Sequence, residues 1–261
     1  VLRKARRVHQ LGLDLLVSLH FSDTIASSSL QRTPQEWQDH SMEMLAEDVR
    51  SHTASVLQAL TEEGINPRWI QIGNQLDNGL LWPAGYLTRY PTQYATLVSS
   101  ACRAARNICP KAQIIVAAGN PLHQPSLCAA LDGLRTTDYD QIGLVLYPTQ
   151  SVGSSFQLLN TAISYGIENE NDAIAYAMQT IDMLFNKYKK HCMIVECGVP
   201  VSQETAGSMH MRQLVKEARA NTTCRGVIYH EPEAYEGWRG YTQGAFLSNC
   251  RPTQIIDALT K

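Results

Sequence analysis

Short apolar runs alternate along the chain with longer stretches in which apolar residues recur at helical spacing. Residues 13–19 (LDLLVSL) follow a glycine and read as a buried strand. From 41 to 60 the positions Leu45, Val49, Val56 and Leu60 keep a helical period. The same alternation predicts strands over 69–73, 113–118, 141–147, 192–196 and 226–229. Helices are predicted over 94–108, 125–135, 171–190, 204–219 and near 253–260. Pro110 ends the second long helix, and Ile174, Met178, Ile181, Phe185 and Tyr188 share one face of the fourth.

Six nearly all-apolar strands separated by helices predict a parallel sheet covered on both faces, and hence an α/β fold. An open doubly wound sheet and a closed barrel both satisfy that order. Neither GxGxxG nor GxxxxGK[ST] occurs, which weakens a nucleotide-binding open sheet. No linker-like segment divides the chain, so residues 1–261 are expected to form a single domain.

Composition narrows the function classes. The chain is 44% hydrophobic and 18% charged, enough for a sizeable core and incompatible with general disorder. With 22 basic against 24 acidic residues the formal charge is −2, so nothing favours binding a nucleic-acid backbone. No apolar run reaches the roughly 18 residues of a membrane span. Seven cysteines at irregular spacing, without a CxxC pair, argue against zinc and leave one or two disulfides open. The chain opens on Val1 within a helical pattern, LRKARR, read as a solvated face. That start suggests a piece of something longer.

Polar residues collect where the strands end. His20 and Asp23 follow the first strand; Asn74, Gln75 and Asp77 the second; Asn120 the third; Tyr147 the fourth. Glu196 ends the fifth, and His230 and Glu231 follow the sixth. In a parallel barrel the chemistry sits at that end of the strands. A carboxylate directly after an apolar strand, as Glu196 is, needs a partner or a role. The segment IQIGNQLDNGLLWP (70–83) adds amides and Trp82 to a loop acid, a set suited to a sugar's hydroxyls and CH faces. A metal site using His20, Asp23 or Asp77 is a weaker alternative, since the spacing is loose. Glu231, Glu233 and Glu236 read as loop acids rather than a calcium site. Asn221-Thr222-Thr223 is a glycosylation sequon only in a secreting eukaryote. Tyr86 and Tyr90 are further candidates for a sugar subsite.

LLVSLHFSDT (15–24), WIQIGNQLDNGLLWP (69–83), GLVLYP (143–148), IVECGVP (194–200) and GVIYHEPEAYEGWRGYTQGAFL (226–247) together resemble glycoside hydrolase family 53. These are the endo-β-1,4-galactanases of the (β/α)8 glycosidase clan. The GWRGYTQGAF tail is most similar to Bacteroides-type members. The resemblance implies a TIM-barrel fold, no cofactor, and β-1,4-galactan or a galacto-oligosaccharide as partner. It also implies a retaining mechanism with two carboxylic acids, and export from the cell. It assigns Glu196 as nucleophile, Asn74 to the substrate 2-hydroxyl, and Tyr147 to orienting the nucleophile. His20, Asp23, Asp77, Trp82, His230, Glu231 and Trp238 are the further candidates for binding substrate.

The acid/base position carries Gln75, not Glu. An amide has no carboxyl proton to give, so hydrolysis is expected to be impaired or absent while sugar binding persists. The alternative is a non-catalytic carbohydrate-binding pseudoenzyme. Other departures accompany it: Val145 and Leu146 before the Tyr-Pro, His230 where the family has Trp, Ala117 near the expected His, and Ile25–Ser29 after the SDT motif. Their number favours natural divergence over a single introduced change. The family's first two βα units, with a supporting Arg, lie outside the match. The chain is therefore expected to be an incomplete barrel holding strands three to eight.

Overall fold

The computed structural model describes residues 1–151, 167–235 and 237–259. The chain divides into two compact units, one of Val1–Gly119 with Pro125–Gly143 and one of Asn120–Gln124 with Leu144–Lys261.

In the first unit β1 (Leu16–Leu19) pairs in parallel with β2 (Trp69–Ile72), Leu16 against Trp69 and Leu19 against Ile72. The loop beyond β2 carries a small antiparallel hairpin, β3 (Gly79–Leu80) with β4 (Gly85–Tyr86). On its other side β2 pairs in parallel with β5 (Gln113–Gly119), Ile70 against Ile114 and Ile72 against Val116. Next comes β6 (Gln141–Leu146), whose Gln141 Nε2 donates to Gln113 Oε1 at 3.2 Å. Ile70, Ile72, Ile114, Ile115 and Val116 are fully buried, as expected of parallel strands covered on both faces. The helix Met42–Thr61 lays Leu45, Val49, Leu57 and Leu60 into this core, and Ser41 Oγ caps its start by accepting from Met44 N. Pro91 opens the neighbouring helix Pro91–Ile108, where a missing N–H costs nothing.

The division falls within β6, and Leu144–Leu146 continue into the second unit. There the order is β6, β7 (His191–Cys197), β8 (Cys224–Tyr229). β7 and β8 are parallel, with Cys192 opposite Cys224 and Cys197 opposite Tyr229 across two register shifts. The helix Glu170–Tyr188 is capped by Asn169 Oδ1, which accepts from Asn171 N and Asp172 N. It buries Ile174, Met178, Ile181 and Leu184. The helix Glu204–Ala220 follows β7, and the short Gln254–Asp257 helix starts at Thr253.

All six predicted strands are present and form one parallel sheet among the described residues, with helices between them: a partial (β/α)8-type fold. Cys102, Cys109, Cys192, Cys197 and Cys224 are buried free thiols, so the disulfides left open by the count do not involve them. Among the described residues no helix is long and apolar enough to cross a membrane.

The hairpin is the element that the hydrophobic pattern did not predict. It exists because two backbones touch: a Cβ on Gly85 would stand 2.0 Å from Leu80 O and 2.7 Å from Leu97 Cδ1. Gly85→Ala is therefore expected to lower stability by roughly 1–3 kcal/mol, the usual cost of overpacking. Thermal unfolding followed by circular dichroism checks this; an unchanged midpoint would refute the close approach.

Candidate active site

The first unit gathers its site residues on the loop that leaves β2. Gly73 turns the chain with φ +70, and a side chain there would strike Leu76 Cδ2 at 2.6 Å. Two residues on, Gln75 itself takes a left-handed conformation, φ 49 and ψ 60, unusual for a residue with a Cβ. Segment 26–31 holds this strained turn in place. Gln31 Nε2 is buried within reach of three carbonyls: Asn74 O at 2.7 Å, Ser27 O at 3.0 Å and Gln75 O at 3.2 Å. Asn78 Nδ2 donates to Ser28 O at 2.8 Å.

The amide of Gln75 has a defined polarity. Ser28 N–H donates to its Oε1 at 3.2 Å, which fixes the oxygen on that side and leaves Nε2 with no hydrogen bond among the described residues. Asn74 Nδ2 is spent on Ala26 O at 3.0 Å, while its Oδ1 is buried without a partner among the described residues. The open atom of Asn74 is thus an acceptor, the kind a sugar hydroxyl requires. Trp82 donates Nε1 to Asn78 O at 3.0 Å and meets Tyr86 edge-on at 5.1 Å between centroids. Its ring is half-buried, and Tyr86 is exposed beside it.

The other candidates of this unit are used differently. Asp23 Oδ2 accepts from Gln35 N at 2.8 Å and so starts the turn Gln35–Trp37. His20 is exposed at the end of β1. Asp77 is only 5% exposed and its Oδ1 has no partner among the described residues. Its carboxyl packs on Gly119, where a Cβ would lie 2.9 Å from Asp77 Cγ. Burial pushes its pKa up to about 7, partly offset by a hydrogen bond from its own backbone.

The second unit gathers Tyr147, Glu196 and His230 at the ends of β6, β7 and β8. Tyr147 Oη donates to Glu196 Oε1 at 2.6 Å, a short charge-assisted bond. Burial, and then the Glu196 charge, drive the Tyr147 hydroxyl far above its ordinary pKa, so it stays a donor. His230 Nδ1 is 3.7 Å from Glu196 Oε2, beyond hydrogen-bond reach. The His230 backbone is fixed by its N–H to Cys197 O at 2.8 Å and by Tyr241 Oη donating to its carbonyl at 3.1 Å. Glu196 retains 15% of its side-chain surface and His230 39%, so both can be reached from solvent.

Gly198 and Gln243 complete this cluster, and neither was singled out from the sequence. A Cβ on Gly198 would stand 3.0 Å from both Tyr147 Cε1 and Gln243 Cβ, so the glycine seats the tyrosine ring. Tyr229 Oη donates to Gln243 O at 2.9 Å and accepts from Val199 N at 3.2 Å, tying that loop to the end of β7. Gln243 is buried with its Oε1 unpartnered. Glu231, exposed with φ 43, and Trp238, half-buried under the Arg239 guanidinium at 5.1 Å, stand in the loop beyond β8. Of the loop acids weighed for calcium, Glu231 and Glu233 are exposed and Glu236 lies outside the described residues. Asn221 spends its amide on Asp182 Oδ1 at 3.0 Å.

Comparison with known proteins concerns the chain as a whole. The family model described as glycosyl hydrolase family 53 matches residues 1–251. An arabinogalactan endo-beta-1,4-galactanase A of Aspergillus niger is 27% identical over 270 residues, 98% of this chain and 73% of that protein. A solved structure of fungal beta-1,4-galactanases superposes with a TM-score of 0.81 at 19% identity, covering 100% of this chain and 81% of that one. A GH53 catalytic domain from Ignisphaera aggregans gives 0.80 at 20% identity, covering 98% and 76%. The solved structures bear on the fold alone.

Proposed function

The chain belongs to glycosyl hydrolase family 53, and from that premise we propose that it binds β-1,4-galactan, with Glu196 as nucleophile and Gln75 at the acid/base position. The observation that carries this is the 2.6 Å bond from Tyr147 to Glu196 Oε1 at the end of β7. It holds one carboxylate oxygen and leaves the other without a hydrogen bond among the described residues. In a retaining glycosidase one carboxylate attacks the anomeric carbon while a carboxylic acid protonates the leaving oxygen. Glu196 fits the first role. Gln75 cannot fill the second, because its amide oxygen is held by Ser28 N–H and its nitrogen carries no acidic proton. Hydrolysis of the polymer is therefore weak or absent, while recognition remains. Asn74 Oδ1 offers an acceptor to a sugar hydroxyl, and the half-buried Trp82 ring a face for its CH groups. His20, Asp23, Asp77, Tyr147, His230, Glu231 and Trp238 complete the proposed binding set, with Asp77 and Asp23 acting through the loops they support.

The Gln75 amide also favours a second reading, a carbohydrate-binding protein with no hydrolytic role. Galactan is a plant cell-wall polymer, so either protein would work outside the cell, at its surface or in a periplasm. Fractionation of producing cells tests that placement.

Affinity electrophoresis tests the common part. Mobility is expected to fall in gels containing β-1,4-galactan and not in arabinan or cellulose derivatives. Trp82→Ala is expected to weaken galactan binding by about tenfold, ~1.4 kcal/mol. Equal retardation by all three polymers, or by none, would sink the galactan assignment.

A further inference from the structure

The turn beyond β8 is shaped to deliver one side chain. Gly237, Arg239 and Gly240 take positive φ values of 82, 51 and 76, and a residue with a Cβ adopts such a conformation, as Arg239 does, only at a cost. Tyr241 follows directly, its N–H donating to Trp238 O at 2.9 Å. The two residues after it are pinned as well. Thr242 O accepts from Val201 N at 3.0 Å, and Gln243 O from Tyr229 Oη at 2.9 Å.

So placed, Tyr241 bears on both flanks of Glu196. On the Oε2 flank its Oη donates to His230 O at 3.1 Å, and its ring lies 5.7 Å from the imidazole at a tilt of 56°. That imidazole stands with Nδ1 3.7 Å from Glu196 Oε2, close to the carboxylate and short of a hydrogen bond. On the Oε1 flank the Tyr241 and Tyr147 hydroxyls are near enough to shift each other's titration, while Tyr147 Oη donates to Oε1 at 2.6 Å. His230 keeps 39% of its side-chain surface, so its ring has room to turn. A small turn would let Nδ1 bond Oε2 and close that oxygen to any ligand. The bond to the His230 carbonyl and the ring contact are what hold the imidazole back.

We propose that Tyr241 is a positioning residue that keeps His230 off Glu196, so that Oε2 stays open to the ligand while Tyr147 holds Oε1. The proposal rests on the reading of Glu196 as a carboxylate of the sugar site. Tyr241 acts through His230 and not by touching the sugar. Its hydroxyl is therefore needed most by a ligand that must reach Oε2 with a positive charge, and least by a neutral oligosaccharide that spreads its contacts.

Calorimetric titration with two probes tests this: a protonated iminosugar of galacto configuration, and neutral β-1,4-galactotriose. Tyr241→Phe removes the hydroxyl and keeps the ring. It is expected to weaken the iminosugar by roughly three- to tenfold, the scale of one hydrogen bond, and galactotriose by less than about twofold. Retained galactotriose binding also shows that the variant is folded. His230→Phe has no donor to close Oε2, so adding it to Tyr241→Phe should restore iminosugar affinity. Equal losses for both probes, or a loss that His230→Phe leaves in place, would overturn the positioning role and make Tyr241 a structural residue or a sugar contact. An unchanged Tyr241→Phe, with iminosugar binding lost in Glu196→Gln, would overturn the proposal and keep the reading of Glu196. Iminosugar binding undiminished in Glu196→Gln would refute that reading, and the proposal with it. Wild-type protein that binds neither probe would sink both.

Discussion

Gln75→Glu is expected to raise reducing-sugar release from β-1,4-galactan by roughly 10²–10⁴-fold, the usual contribution of a positioned general acid. Glu and Gln have nearly the same shape, so the left-handed turn at φ 49 and the three carbonyl contacts of Gln31 have no steric reason to change. The Ser28 N–H that now holds Oε1 would hold one carboxyl oxygen, leaving the other in the place of Nε2, which has no hydrogen bond to lose. The gain should appear in the turnover rate more than in galactan affinity, since the polymer meets an isosteric side chain. Reducing-sugar assays on both forms, with circular dichroism as a check on folding, decide the matter. A folded Gln75→Glu protein that binds galactan yet stays silent would mean that the cleft has diverged beyond this residue. The non-catalytic binding protein would then be the better reading.

The strands and long helices were legible in the sequence because they follow directly from where apolar residues can be buried. Ile114, Ile115 and Val116 could hardly be anywhere but inside. The errors are at edges. The first strand was read from residue 13, but Leu13 is 60% exposed and Asp14 pairs with Arg68, so β1 begins at Leu16. The helix read from Tyr94 starts at Pro91, because its first turn carries no buried residue to mark it. The hairpin over 79–86 rests on backbone contact between glycines, which leaves no hydrophobic period. In the site, the polar residues at strand ends were legible as a group, while the hydrogen bond from Tyr147 to Glu196 depends on how β6 and β7 lie side by side. Gln243 was missed because its place depends on Tyr229, fourteen residues upstream, and on the absence of a side chain at Gly198. Nor does any local signal show that Asp77, among several loop acids, turns inward against Gly119.

That inward carboxyl should make the first unit lose stability as the pH rises from about 4 towards neutrality, and Asp77→Asn should abolish the loss. Asp77 has no ion-pair partner among the described residues. The titratable group that senses it is the fully buried Tyr94 hydroxyl, neutral and itself without a hydrogen bond. Only a hydrogen bond from its own backbone offsets the cost of ionising in place. The folded pKa is about 7, against about 4 in an unfolded chain. Between those values the folded protein keeps a proton that the unfolded chain releases, so stability falls as pH rises from about 4 to about 7 and then levels off. At about 1.4 kcal/mol per unit the full difference is on the order of 4 kcal/mol, a large part of a typical folding free energy. Asn is neutral at every pH and close in shape to the protonated acid. The variant should match the parent at about pH 4 and exceed it by most of that amount at about pH 8. Urea unfolding of both proteins at the two pH values provides the measurement. Parallel losses with rising pH in parent and variant would place the pH dependence elsewhere and show that Asp77 ionises freely in the folded loop.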